Sequence, residues 1–229
     1  MAASKSPVRH TAGEPRSRYD CRGRGRSSGP RGGGYRRGAD LLALLDHQEI
    51  ASATLVGMSM GGQIALETAV LAPERVERLV LVDPFLADFE FSEAWRGMWR
   101  ALKQLSRSQG LEAAKETWRE GMLFSMEDRF PAAAEALSAM MDTWSGWHLA
   151  HTDHYPYRSI SHRLAEVAAP ALVAVGELDL PDFHAIAERI AAGVPRAERA
   201  VIPGAGHVPS LETPAAFHAA LDPFLGRQP

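Results

Sequence analysis

Ala53-Thr54-Leu55-Val56-Gly57-Met58-Ser59-Met60-Gly61-Gly62 is an apolar, β-prone run that breaks into a Gly-x-Ser-x-Gly turn, and Gln63 to Leu71 behind it reads as a helix. That order predicts a strand-to-helix elbow with Ser59 at its apex. A serine hydroxyl is a poor nucleophile unless the backbone holds it exposed, beside a base and under hydrogen-bond donors, and a tight elbow with small neighbours does this. Gly57 and Gly61 are the residues expected to permit the close approach. The five-residue pattern is common in a Gly- and Ser-rich chain, so its weight comes from the strand before it and the helix after it.

Two later segments complete a constellation. Ala171 to Val175 is a short buried-strand candidate running into Gly176-Glu177-Leu178-Asp179, a turn that places a carboxylate at a strand's C-terminal end. Ala200 to Ile202 is a third apolar run, followed by the Gly-rich loop Pro203-Gly204-Ala205-Gly206-His207-Val208-Pro209. Asp179 is the expected orienting acid and His207 the expected general base. Asp83, which ends the apolar strand Arg78 to Val82 ahead of Pro84, is the alternative acid. The chain order Ser, Asp, His differs from the orders of the chymotrypsin and subtilisin folds.

Together with Tyr19-Asp20-Cys21-Arg22-Gly23-Arg24-Gly25-Arg26-Ser27 and Arg75 to Pro84, these motifs make the chain resemble the α/β-hydrolase superfamily, in particular its lipase-like, lactonase-like and haloperoxidase-like members with a Ser-Met-Gly-Gly elbow. The resemblance spans about residues 19 to 86 and 165 to 226. It implies an α/β class fold, a mostly parallel sheet flanked by helices with an inserted helical lid. Expected divisions are an irregular segment 1–18, a hydrolase core formed by 19–85 with 165–229, and a lid over 86–164.

In the family the Arg-Gly-x-Gly-x-Ser segment follows the fourth strand, behind a His-Gly-type loop. Only 18 residues precede Tyr19, and they show neither strand alternation nor a His-Gly pair. The family's first strands are therefore expected to be missing, leaving the strand before Ser59 as an exposed edge. The oxyanion hole is expected to draw one N–H from Met60, while the loop that gives the family its second donor is absent.

The length of 229 residues suits one enzyme-sized domain. Neither an apolar run of membrane-spanning length nor a signal-peptide core is visible, so a cytoplasmic enzyme without a membrane span is expected. The single cysteine, Cys21, allows no internal disulfide and fits a reducing compartment. Charge is uneven: residues 1 to 38 carry Lys5 and nine arginines against Glu14 and Asp20, a balance of +8 that leaves −11 for the remainder of a chain with net charge −3. Aromatic stacking partners are scarce in that basic stretch and no amphipathic helix is visible, so no nucleic-acid partner is expected. No phosphate-binding Gly-rich pattern with Lys is present, and no cofactor is expected.

Asp40 to His47 reads as an amphipathic helix, and Pro73 stops the helix that follows the elbow. Residues 86 to 164 read as several helices, with cores at 93–106, 111–124 and 131–141. All five tryptophans (Trp95, Trp99, Trp118, Trp144 and Trp147) fall in this insert. Most are expected to pack the lid helices together, with at least one lining a pocket; the candidate substrate-binding residues are Met58, Trp95, Trp99, Trp144, Trp147 and Val208. His148, His151 and His154 with Asp153 invite a metal reading, but the segment looks like a turn without a matching ligand cluster, and no metal is expected. Asp182 and His184 sit at a helix start, where a carboxylate suits the helix dipole, and His218 sits on the closing helix.

The expected chemistry is two-step acyl transfer to water from a small to medium apolar or aromatic ester or lactone. Related scaffolds also cleave carbon–carbon bonds, cut N-terminal peptides or carry out perhydrolysis, and the elbow does not separate these. The alternative of another class is a non-catalytic or impaired relative; the missing oxyanion loop supports it and the three triad side chains oppose it.

Overall fold

A computed structural model describes residues 37–124, 126, 128–150 and 159–226. The segment 1–18, the Tyr19 to Ser27 motif with Cys21, and His151, Asp153 and His154 lie outside the described residues.

Four strands, β1 (Ala53–Met58), β2 (Val76–Val82), β3 (Ala171–Gly176) and β4 (Ala197–Ile202), pair in parallel in that order. The central pair explains the continuous apolar runs. Every residue of β3 and the last four of β2 are buried, because a parallel sheet is covered on both faces. Side chains alternate between two cores. Leu79, Leu81, Val173 and Val175 meet Leu66, Ala69, Phe183, Ile186 and Ile190 on one face; Val80, Val82 and Leu172 meet Leu221 and Phe224 on the other. The first face is therefore covered by α2 (Met60–Leu71) and α7 (Pro181–Gly193), the second by α9 (Pro214–Leu225). Burying each such aliphatic or aromatic side chain contributes about 1.5–3 kcal/mol.

α1 (Arg37–His47) packs through Leu41 toward the first core, and a β-carbon added at Gly38 would sit 3.1 Å from the Thr68 backbone nitrogen of α2. Among the described residues β1 pairs on one side only, with β2. The strands before Asp83 and His207 run longer than the apolar runs suggested. β2 begins at Val76, and β4 begins at Ala197 because Glu198 and Arg199 occupy exposed outer positions that interrupt its hydrophobicity. α2 begins at Met60 rather than Gln63, directly behind the elbow.

Between β2 and β3 come α3 (Glu93–Gln109), α4 (Leu111–Phe124), α5 (Pro131–Asp142) and the short α6 (Trp147–Ala150). They hold cores of their own. Leu102, Ala114 and Leu149 form one with Trp99, Trp118 and Trp144, while Met126, Ala133 and Ala134 form another that includes Val208. Arg119 of α4 bonds Ser138 at 3.0 Å and Asp142 at 2.8 Å on α5. The insert is also fastened to the rest. Ser92, the N-cap of α3, donates its backbone N–H (2.8 Å) and hydroxyl (2.6 Å) to Asp182 on α7, and Ser161, which bonds the Asp88 carboxylate within the insert, accepts from Arg189 of α7 at 2.8 Å. Asp182 thus serves as an anchor for the insert as well as a first-turn acid. No helix among the described residues is long and apolar enough to cross a membrane.

Candidate active site

Parallel strands deliver their C-terminal ends to one rim, and the segments leaving that rim carry the candidate residues. Ser59 follows the last residue of β1, Asp83 the last of β2, Asp179 lies three residues past β3 and His207 five past β4. The registers Met58 to Val82, Val82 to Ala174 and Gly176 to Ile202 hold these exits side by side.

Ser59 has φ 50° and ψ −116°, backbone angles that a non-glycine residue adopts only when its surroundings impose them. Its N–H bonds the Val82 carbonyl at 2.9 Å, and its own carbonyl accepts from Phe85 N–H at 2.9 Å, so the elbow is laced to the exit of β2. The Ser59 hydroxyl makes no capping bond to α2, although the residue occupies the N-cap position. Tight packing enforces the bend. A β-carbon at Gly57 would lie 2.4 Å from the Gly61 carbonyl oxygen, and one at Gly62 would lie 2.9 Å from Pro84 Cβ, whereas one at Gly61 would meet nothing within 4 Å. The close approach therefore depends on Gly57 and Gly62, not on Gly57 and Gly61 as the motif suggested. The reason is that the helix rotates Gly61 outward and turns Gly62 onto the β2 exit.

Met60 opens α2, where the first N–H groups of a helix lack intrahelical acceptors. Met60 is 49% exposed, and Met58, on the other side of the elbow, is 39% exposed.

His207 Nδ1 lies 2.8 Å from Asp179 Oδ2, with the imidazole 22% exposed and the carboxylate 3% exposed. Asp179 Oδ1 accepts from the Leu180 N–H at 2.7 Å. The structure thus pairs His207 with Asp179, the favoured acid, while Asp83 stands behind the pair. Asp83 is fully buried, and its Oδ1 accepts from the Gly176 N–H at 2.9 Å. Burial, then the adjoining Asp179 carboxyl and the like charge on it, push Asp83 up to about 9. One oxygen or nitrogen from each of Asp83, Asp179 and His207 falls within 4.8 Å of the others. In composition such a set could hold a cation, but both Asp179 oxygens and Oδ1 of Asp83 are already committed to N–H donors.

Three supports escaped the sequence reading. Glu212 on α8 (Pro209–Glu212) turns its buried carboxylate back onto the His207 loop, accepting from Gly206 N–H and from Val208 N–H at 3.0 Å, so the backbone is clamped on both sides of the histidine. A carboxylate five residues after His207, behind a helix-starting proline, was the available signal. The Phe183 ring lies 4.3 Å from the His207 ring, centroid to centroid, and nothing in the sequence announces it. The third is the pairing of Asp83 with Asp179.

The candidate substrate-binding residues divide. Trp95 packs at 5.4 Å on Phe183 and at 5.2 Å on Phe91, one ring removed from His207. Trp99 and Trp144 belong to the insert's own core, and Val208 is buried against α5 residues Ala133 and Ala134. Trp147 opens α6 and His148 follows it. His184 lies on the first turn of α7, and His218 is exposed on α9, 3.7 Å from Asp222.

A family model for the alpha/beta hydrolase family matches residues 10–220. The chain is 31% identical over 218 residues to 3-oxoadipate enol-lactonase 2 of Acinetobacter baylyi, covering 91% of this chain and 78% of that protein. Among solved structures, a hydrolase from Pseudomonas aeruginosa superposes with a TM-score of 0.69 at 27% identity, covering 85% of this chain and 74% of that one. A thermophilic esterase from Thermogutta terrifontis superposes with a TM-score of 0.66 at 25% identity, covering 85% and 73%.

Proposed function

We propose, from the premise that this chain belongs to the alpha/beta hydrolase family, that it is a serine hydrolase cleaving a small to medium apolar or aromatic ester or lactone through an acyl-enzyme on Ser59. The observation that carries this reading is the 2.8 Å bond from His207 Nδ1 to the buried Asp179 carboxylate, on the same rim as the strained Ser59 elbow.

In the proposed mechanism Asp179 holds the proton of His207 on Nδ1, which leaves Nε2 free to accept the Ser59 hydroxyl proton. Ser59 Oγ attacks the carbonyl, and the Met60 N–H, lacking an intrahelical acceptor, donates to the oxyanion. Collapse breaks the bond to the leaving oxygen, which takes its proton from the His207 imidazolium. Water, deprotonated by His207, then attacks the acyl group and releases the acid and Ser59; a lactone yields the ring-opened hydroxy acid. Residues 86–164 form the lid in this account. Phe91 and Trp95, joined through Phe183 to His207, favour a substrate with apolar or aromatic surface. The enol-lactonase and esterase activities named for the relatives support the substrate class.

The test is hydrolysis of short-chain p-nitrophenyl esters and of small lactones by the full chain and by Ser59→Ala. The reading predicts turnover that the substitution lowers by about a thousandfold or more. Equal turnover in the variant, or none in the parent chain on any of these substrates, removes it.

A further inference from the structure

The Asp83 carboxyl has no place in the mechanism above, yet it is fully buried at the rim and stands at positive φ, 43°, a backbone state that a non-glycine residue holds only under constraint. Its Oδ1 is satisfied by the Gly176 N–H, while its buried Oδ2 accepts from no donor among the described residues. The neighbouring group is the Asp179 carboxyl, itself an acceptor. The titratable groups around Asp83 are Asp179 from the segment after β3, His207 from the loop after β4 and Glu212 from α8. None but the imidazole can carry positive charge, and that ring is turned to Asp179.

Two carboxyl groups in contact do not both ionise in a buried site. Asp179 has two donors, Leu180 N–H and His207 Nδ1, so the negative charge settles on it. Asp83 has the single Gly176 N–H, so the proton settles on Asp83, where Oδ2–H supplies the donor that its geometry otherwise lacks. We propose that Asp83 is a positioning residue for the catalytic pair: a neutral carboxylic acid that donates a hydrogen bond to the Asp179 carboxylate, holds it against His207 Nδ1 and tempers how tightly the imidazole keeps its proton. This inference rests on the proposed roles of Asp179 and His207.

The consequence has a sign. A donor on Asp179 spreads its negative charge and weakens its hold on a protonated His207, so the imidazole becomes available as a base at lower pH. Asp83→Asn keeps the arrangement, because the amide oxygen can accept from Gly176 and the amide NH2 can donate to Asp179. Asp83→Ala removes the donor.

The experiment combines infrared spectroscopy, NMR titration of the His207 ring and the pH profile of kcat/KM for the parent chain, Asp83→Asn and Asp83→Ala. At neutral pH the parent is expected to show a neutral carboxylic acid carbonyl band, sensitive to D2O, that both substitutions abolish. His207 titration and the acid limb of kcat/KM should stay in place in Asp83→Asn and move up by about half to one unit in Asp83→Ala, with roughly a three- to tenfold loss of kcat/KM below neutral pH. Absence of the infrared band, or a shift in Asp83→Asn as large as in Asp83→Ala, overturns the proposal. If Asp83→Ala does not fold, the band and an unmoved His207 titration in Asp83→Asn decide it. Ester turnover that survives Ser59→Ala would remove the hydrolase reading instead, and the infrared and NMR results would still judge Asp83.

Discussion

Ser59 and Asp83 occupy equivalent places, each directly behind the last residue of a parallel strand and each at positive φ, but their side chains meet opposite environments. One is half-exposed at the head of a helix; the other is sealed beside a second carboxyl. In the proposed mechanism Asp179→Asn leaves His207 in the wrong tautomer and lowers kcat by about a thousand- to ten-thousandfold, whereas Asp83→Asn leaves kcat within a few-fold. Steady-state kinetics on one ester compares the two; the reverse ranking would make Asp83 the orienting acid. Asp83 also links folding to pH. Its proton is held to about 9 in the folded chain, against an ordinary value of 3.8 that describes the unfolded chain. Folding therefore takes up a proton between those values, and the resulting stability, fully present below the lower value, is lost as pH rises through the upper one. Denaturant midpoints followed from pH about 5 to about 9 should fall less steeply in Asp83→Asn than in the parent. Ser59, Asp179 and His207 were legible as candidates because each follows a short apolar run at a Gly-marked turn. The pairing of Asp83 with Asp179 was not legible, since two carboxyls 96 residues apart share only their position behind adjacent strands.

At the scale of elements, the short α8 does more than join β4 to α9: Glu212 grips the backbone on either side of His207. Glu212→Gln offers one acceptor oxygen where two were used, and leaving Gly206 or Val208 N–H unpaired should cost about 1–3 kcal/mol. Thermal unfolding measures that loss, and kinetics should show kcat falling more than KM rises as His207 wanders. The helical insert depends on a different pair. Removing the Asp182 carboxylate by Asp182→Ala frees both Ser92 donors at the N-cap of α3, so limited proteolysis should cut within residues 86–164 faster while the sheet stays protected. Unchanged cleavage would mean that the bond from Arg189 of α7 to Ser161 holds the insert without Asp182. The strands and helices here were largely readable from hydrophobic period. Their ends were less so: Met60 looked like turn because Gly61 and Gly62 lack helix propensity, while Glu198 and Arg199 masked the start of β4 by pointing outward.

For the whole molecule, one rim collects what the chain scatters from Ser59 to His207, since parallel strands all end on the same side. This is why three motifs in order sufficed to anticipate an α/β-hydrolase fold. It is also why the details of the insert escaped: Trp99, Trp118 and Trp144 build its interior while Trp95 reaches, through Phe183, toward His207. Composition assigns all of them to the insert without separating wall from core. The central claim is that this rim activates one serine hydroxyl. The most direct measurement is mass spectrometry of the full chain after treatment with a fluorophosphonate probe, beside Ser59→Ala and His207→Ala. A single adduct on Ser59, absent in the first variant and formed at least about a hundredfold more slowly in the second, is the predicted result. An adduct on another residue, or equal rates with and without His207, would contradict it.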